Sequence, residues 1–363
     1  MKYNRLGRTG LYVSELCFGT MTFSGRNWLG GMIGNLDQKA ATTLIGRSLE
    51  AGINFIDTAN VYSIGESERM TGAALKELGV RRSDVVLATK VFGRMAPGPN
   101  DMGASRGHIM DSVSQSLERL QTDHIDLYQI HQSDSVTGVE ETMRALDDLV
   151  SQGMVRYVGV SNWEAWKIVK ANGIADRRGW ARIETLQAYY SLAGRDLEDE
   201  LVPAMADQGI GCLVWSPLAG GYLAGKYTPD PETGGGEEKA EPGRRANFDF
   251  PPIDKEKADA IVRAMRPIAK THGVSVARVA LAWVRSKPFV TATLIGAKTL
   301  EQLNDNLEAA RLTLAPEEIA ALDAASAERP RYPGWMISRN NALRVPTGEP
   351  VKMGGVGAIT GKT

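Results

Sequence analysis

Four residues in this chain, Asp57, Tyr62, Lys90 and His131, are of types that could move a proton if brought together. A lysine ammonium near a phenol favours the phenolate and lowers the tyrosine pKa toward neutrality. A carboxylate beside the lysine keeps it charged despite burial. A neutral imidazole can donate a hydrogen bond to a carbonyl oxygen. The set suits protonation of a carbonyl oxygen as that oxygen gains negative charge. It contains no obvious metal triad. It also lacks a nucleophile activated by a neighbouring base, unless Lys90 itself is one.

Bringing them together is the task of the surrounding pattern. Eight short apolar, β-branched runs read as strands: 15–20, 54–59, 85–91, 125–131, 155–162, 184–191, 210–218 and 291–297. Between and after them lie amphipathic stretches at 37–51, 66–78, 106–120, 139–152, 163–172, 197–208, 255–286 (broken near Gly273) and 299–310. Such alternation predicts right-handed parallel units. Eight units without a break in composition predict a closed (β/α)8 barrel, the TIM-barrel fold. The competing fold, a doubly wound open sheet, usually carries a Gly-rich fingerprint after its first strand; FGTMTFSG does not fit one.

In such a barrel the chemistry sits where strands end. Asp57 and Tyr62 follow the second run, Lys90 the third and His131 the fourth. Ser161 and Asn162 end the fifth, Gln187 lies in the sixth, and Trp215 and Ser216 end the seventh. Each has a plain alternative. Asp57 alone reads as a loop cap, Lys90 as a snorkelling strand end, His131 as a satisfied core histidine and Tyr62 as surface packing. Together, three consecutive strand ends would deliver Asp, Lys and His to one rim.

The formal net charge of -1 argues against general nucleic-acid binding. The two cysteines, Cys17 and Cys212, sit in apolar runs and point to a reducing compartment. No signal-peptide pattern opens the chain, and no run reaches membrane-spanning length. The expectation is a cytoplasmic protein of one barrel domain, 1–363. A hairpin over 1–14 precedes the barrel, a Gly/Pro-rich loop covers 219–253, and a tail covers 329–363. That tail carries Tyr332, Trp335 and Met336, expected to pack in part on the barrel.

The motifs FGTM (18–21), DTANVY (57–62), ATK (88–90), DLYQIH (126–131), GVSN (159–162), WSPLAGGYLAGKY (215–227) and IGAKTLEQLNDN (295–306) give the chain its resemblance to the aldo-keto reductases, over roughly 1–328. Its style is closer to the bacterial and potassium-channel beta-subunit branch. The resemblance implies NAD(P)H-dependent interconversion of an aldehyde or ketone and its alcohol. It implies Tyr62 as general acid/base, Lys90 tuning it, Asp57 holding Lys90, and His131 orienting the carbonyl. On the cofactor side it implies Ser161, Asn162 and Gln187 at the nicotinamide amide and Trp215 stacked on the ring. It counts Gly19, Thr20, Met21 and Asp57, at the same rim, among the cofactor contacts. Ser216, Leu218, Gly220, Lys226 and, more loosely aligned, Arg245 fall on the pyrophosphate loop. Gln302, Asp305 and Asn306 match adenosine contacts. Gly296, Ala297 and Lys298 open the last barrel helix, whose N-terminus suits an anion. Lys298 suits a ribose 2′-phosphate, which favours NADP over NAD.

Some features depart from the family pattern. Met21 stands where many relatives carry tryptophan, a softer pocket wall. The insert 24–35 brings Trp28 and Met32, and further substrate contacts are expected from 92–104 and from Trp335. Tyr128 and Gln129 precede His131 as in the family. The expected partner is a small carbonyl or alcohol, with no nucleic acid or membrane; homo-oligomerisation is left open. Two other functions stand beside reduction: a cofactor-binding regulatory subunit, and a Schiff-base lyase using Lys90.

Overall fold

Successive residues of a strand face opposite sides of a sheet, and that rule decides where each polar side chain goes. The computed structural model describes residues 1–24, 34–229, 245 and 248–342. Its barrel strands are β3 (Leu16–Gly19), β4 (Phe55–Asp57), β5 (Val86–Val91), β6 (Ile125–Ile130), β7 (Val155–Ser161), β8 (Ile183–Tyr189), β9 (Gly211–Trp215) and β10 (Val290–Ile295). They close in the order β10-β3-β4-β5-β6-β7-β8-β9, and the pairs are parallel. The expected (β/α)8 barrel is the fold, and each of the eight predicted runs overlaps a barrel strand.

The inward positions separate into two zones. Near the strand starts they are apolar: Cys17, Phe55, Val86, Ala88, Leu127, Leu213 and Ala292 form one buried cluster. Leu6 and Val13 complete it from below. They come from the hairpin of β1 (Tyr3–Arg5) and β2 (Tyr12–Ser14), as expected from the sequence. Asn4 Nδ2 donates to Thr291 O at 2.8 Å, which fixes the hairpin under the start of β10. With that end plugged among the described residues, the C-terminal rim is the end left for a ligand. One step farther along each strand, the inward residues turn polar.

The outward positions pack against helices α1 (Gln38–Glu50), α2 (Glu66–Glu77), α3 (Arg106–Leu120), α4 (Val139–Ser151), α5 (Ala165–Arg178), α6 (Leu201–Gln208), α7 (Lys255–His272), α8 (Val276–Arg285) and α9 (Leu300–Glu308). Side-chain caps set several starts: Asp37 accepts from Ala40 N at 2.8 Å and Ser275 from Arg278 N at 3.2 Å. The predicted break near Gly273 is real; that residue has φ 62° and ends α7.

Two helices differ from expectation for identifiable reasons. The stretch 163–172 was expected to stop before Gly173, but α5 runs on to Arg178. A Cβ on Gly173 would meet nothing, and the Asn172 amide is engaged with both Ile183 N (2.8 Å) and Ile183 O (3.4 Å). Tertiary pairing overrides local propensity there. The stretch 197–208 is shortened to α6, preceded by a 3₁₀ turn at Asp196–Glu198. Pro203 lacks the N–H that a helix interior requires and is tolerated only in the first turn. Beyond the barrel lie two helices not foreseen in the sequence, α10 (Pro316–Ala325) and α11 (Gly334–Ala342). The tail does not bury its large apolar residues on the barrel: Tyr332, Trp335 and Met336 are exposed. Arg331 ties it instead, pairing with Asp196. Trp28 and Met32 lie outside the described residues.

Candidate active site

The polar rim begins with Asp57, the last residue of β4, and Lys90, inward on β5. Both are dry, at 1% and 0% exposure. Lys90 Nζ makes an ion pair with Asp57 Oδ2 and donates to Thr58 O at 2.8 Å. Burial alone pushes the lysine down; the Asp57 carboxylate, and then Tyr62, more than offset that and hold its pKa above the ordinary value.

Tyr62 arrives on a tight turn. Ser63, Ile64 and Gly65 have φ of 50°, 53° and 88°, three left-handed residues in succession. For Ser63 and Ile64 that conformation is strained, so outside contacts must hold it. Ser63 Oγ donates to Phe23 O at 3.1 Å. Two residues farther on from Gly65, Ser67 Oγ donates to Thr20 O at 2.8 Å and lies 3.2 Å from Thr58 Oγ1. The turn is thus sewn to the ends of β3 and β4. Tyr62 is 8% exposed, and its ring centroid lies 5.2 Å from Lys90 Nζ.

His131 follows β6 directly and is half-buried. Its ring meets that of Tyr62 edge-on, with centroids 5.7 Å apart and planes at 76°. Burial, and secondarily the Lys90 charge, push its pKa down to about 3. The imidazole is therefore neutral at physiological pH. All four candidate residues come to one place, with both a charged lysine and a neutral histidine beside the phenol.

The remaining candidates spread around the same rim. Asn162 adopts φ 56° and bridges its neighbours. Its Nδ2 donates to His131 O at 3.1 Å and Ser161 Oγ at 3.0 Å, and its Oδ1 accepts from Trp215 Nε1 at 3.1 Å. Trp215 is flanked by Tyr189, with centroids 5.2 Å apart, and stacked by Phe250 at 5.8 Å with planes 6° apart. Gln187 Nε2 donates to Asp57 Oδ1 at 3.0 Å. Gly19 pairs with Asp57 in the sheet, Thr20 N donates to Asp57 O at 2.9 Å, and Met21 is half-buried beside them.

After β9 the chain makes a second left-handed run, with Ser216 at 52°, Ala219 at 50°, Gly220 at 66° and Gly221 at 91°. Ser216 Oγ accepts from Gly220 N at 2.8 Å, and Leu218 is half-buried in the turn. A Cβ on Gly220 would meet Phe250 O at 2.5 Å, so only glycine permits this close approach. Arg245 is buried and turned onto its own loop, donating to Ala219 O at 2.8 Å and Pro251 O at 2.9 Å. It clips the turn rather than presenting a charge outward. Lys226 is exposed.

At the far edge, Gly296 and Lys298 are exposed and Ala297 is buried. Thr299 caps α9 by accepting from Gln302 N at 3.2 Å, while Gln302 Oε1 accepts from Lys298 N at 2.9 Å. Asn306 Nδ2 reaches Gly296 O at 3.3 Å. Asp305 is engaged with Arg278 and Ser275, each at 2.7 Å. A hollow of about 310 Å³ lies here, bordered by Lys39, Thr43 and Lys298.

One inward residue at the centre was not singled out from the sequence. Gln129, two positions before His131 and so on the same face of β6, donates from Nε2 to Asp57 Oδ1 at 3.2 Å. The signal was that period of two: an amide where an inward aliphatic side chain would be expected.

Similarity to known proteins agrees with this geometry. The Aldo/keto reductase family model matches residues 15–327. An uncharacterized oxidoreductase, YrpG, of Bacillus subtilis is 39% identical, covering 89% of this chain and 95% of its own length. A probable voltage-gated potassium channel subunit beta of Oryza sativa is 36% identical, covering 91% and 98%. Versiconal hemiacetal acetate reductase of Aspergillus parasiticus is 34% identical, covering 92% and 99%. The chain belongs to the aldo/keto reductase family. Members of this family typically work with a nicotinamide cofactor, and the residues present fit one. Neutral amides and a hydroxyl (Ser161, Asn162, Gln187) gather at the rim beside an indole. A glycine-dependent left-handed turn follows, and an exposed lysine stands beside a capped helix N-terminus at the far edge. Among the described residues, no helix is long and apolar enough to cross a membrane.

Proposed function

We propose that this protein is an NADP(H)-dependent carbonyl reductase with Tyr62 as its general acid/base. The observation that carries the reading is the placement of Tyr62 beside both a charged Lys90, 5.2 Å from its ring, and a neutral His131 meeting it edge-on. A bound reduced nicotinamide supplies the hydride. Tyr62 gives its phenolic proton to the carbonyl oxygen as that oxygen gains charge, and Lys90 stabilises the phenolate left behind. His131 donates a hydrogen bond to the same oxygen and orients the carbonyl. In alcohol oxidation the roles reverse, and the Tyr62 phenolate takes the proton.

Ser161, Asn162 and Gln187 hold the carboxamide, and the aromatic wall of Tyr189, Trp215 and Phe250 fixes which face of the ring is presented. Ser216, Leu218, Gly220 and Lys226 serve the pyrophosphate, with Arg245 clipping their turn. Lys298 meets the 2′-phosphate, and Gln302, Asp305 and Asn306 the adenosine. Substrates are aldehydes or ketones of apolar character. The whole chain acts as one barrel domain, in the cytoplasm.

The test is Tyr62→Phe. Reductase activity should fall roughly a hundred-fold or more, while NADPH affinity, followed by tryptophan quenching, stays near the parent value. Activity within about tenfold of the parent, about 1.4 kcal/mol of barrier, would remove Tyr62 from the role of acid. The rice relative's name keeps a regulatory-subunit reading in view; efficient turnover without any partner excludes that as the sole role.

A further inference from the structure

Asp57 receives more than its lysine. Oδ2 carries the ion pair with Lys90, while Oδ1 accepts from two neutral amides, Gln187 Nε2 at 3.0 Å and Gln129 Nε2 at 3.2 Å. Gln129 is 0% exposed, and its other end is unsatisfied: Oε1 is buried without a hydrogen-bond partner. A leucine or methionine at this inward position would bury no such group, so the amide is costly as filler. The neighbouring strand makes room for it. Gln129 pairs with Gly159, and a Cβ on Gly159 would meet Gln129 Cγ at 3.2 Å and Thr185 Oγ1 at 2.2 Å.

We propose that Gln129 is a positioning residue: its amide holds the Asp57 carboxylate, disperses its charge, and thereby sets the proton affinity of Tyr62 through Lys90. This rests on the reading of Tyr62 as the general acid/base. Among the described residues, the groups facing Tyr62 include Lys90 from β5 and His131 from the end of β6. Asp57 from β4 and Cys17 from β3 stand behind Lys90 and interact with its charge. An N–H directed at Oδ1 offsets part of the carboxylate's negative potential. Without it, Asp57 binds Lys90 more strongly and screens more of the ammonium from the phenol. The phenol then holds its proton more tightly.

The experiment titrates Tyr62 in the protein without cofactor. Tyrosine isotopically labelled at Cζ is followed by NMR against pH, with the Tyr62 resonance assigned by its loss in Tyr62→Phe. Gln129→Leu and Gln129→Met both remove the donor but fill the space differently. Both midpoints should rise by a similar amount, roughly half a pH unit. The high-pH limb of carbonyl reduction and the rising limb of alcohol oxidation should move with them, to higher pH. Unchanged midpoints, a fall, or shifts of opposite sign in the two variants would overturn the proposal. Should the branched leucine prevent folding, the unbranched methionine variant still decides. Failure of the reductase reading is seen separately, in a parent protein that turns over no carbonyl with NADPH; the Tyr62 titration needs no turnover.

Discussion

Thr89 and Lys90 are neighbours on β5, and each anchors a buried ion pair on an opposite face of the barrel wall. Lys90 points inward to Asp57. Thr89 points outward, its Oγ1 donating at 2.5 Å to Glu68 Oε1 on α2, and Glu68 Oε2 accepts from Arg119 Nε of α3 at 2.6 Å. Both pairs are almost fully removed from water, with side-chain exposures of 0% and 2% inside and 8% and 0% outside. The guanidinium of the outer pair also reaches Ser116 Oγ at 3.3 Å and Gln115 Oε1 at 3.5 Å, and both Glu68 oxygens are used. A Cβ on Gly65 would meet Arg119 Cδ at 2.6 Å, so the pair lies directly against the turn that carries Tyr62. The inner pair leaves its lysine beside the Tyr62 phenol. Under the proposed function, equal burial serves two ends: the outer charges hold a loop in place, and the inner ones act on a proton.

If that contrast is right, breaking the two pairs should give opposite phenotypes. Lys90→Met should cost roughly a hundred- to ten-thousand-fold in turnover, measured as kcat for reduction in protein still folded by circular dichroism. Arg119→Met should instead be read in stability. It strands the Glu68 carboxylate, which costs about 3–5 kcal/mol for a buried pair broken on one side. Denaturant midpoints should fall accordingly, while kcat measured well below the new midpoint stays within about tenfold. A large kcat loss in a stable Arg119→Met protein would erase the distinction between the two regions.

The inner pair could be anticipated from sequence and the outer could not. Asp57, Lys90 and His131 stand at the ends of consecutive apolar runs, where a charge is conspicuous, and the strand ends of a barrel share one rim. Glu68 lies in the first turn of α2, where acidic residues are ordinarily solvated, and Arg119 in the last turn of α3, where basic ones are. Nothing local separates a buried ion pair from two favourable helix-end charges. The same blindness hid the contacts of Asn172 that carry α5 past Gly173. Strand order, inward alternation and the rim were local properties and could be read. Contacts between helices depend on which outward faces meet, and they were not.

Acid should test the histidine that completes the inner region. Its folded-state pKa of about 3 lies below the ordinary histidine value near 6.5. The fold therefore favours the neutral ring. The stability this contributes is whole above pH about 6.5 and is lost progressively as pH falls toward 3. His131→Gln removes that proton uptake, so its acid-unfolding curve should lose part of the slope between those limits relative to the parent. In the parent, no kinetic step near pH 6.5 should be assignable to this imidazole. A histidine resonance titrating near 6.5 and missing from the variant would contradict the neutral-ring assignment.

The smallest effect is expected where charge is exposed, and it sharpens the comparison from outside. Lys298 is on the surface, where an ion pair contributes about 0–1 kcal/mol to folding. Lys298→Ala should therefore leave the unfolding midpoint within error of the parent, unlike either buried variant. Its consequence should appear only with ligand present. Losing one cation from a 2′-phosphate site should weaken NADPH by roughly five- to twenty-fold, about 1–2 kcal/mol, and NADH hardly at all. Equal weakening of both cofactors would move the 2′-phosphate away from Lys298. A change in stability without cofactor would show that this lysine, too, belongs to the structural charges.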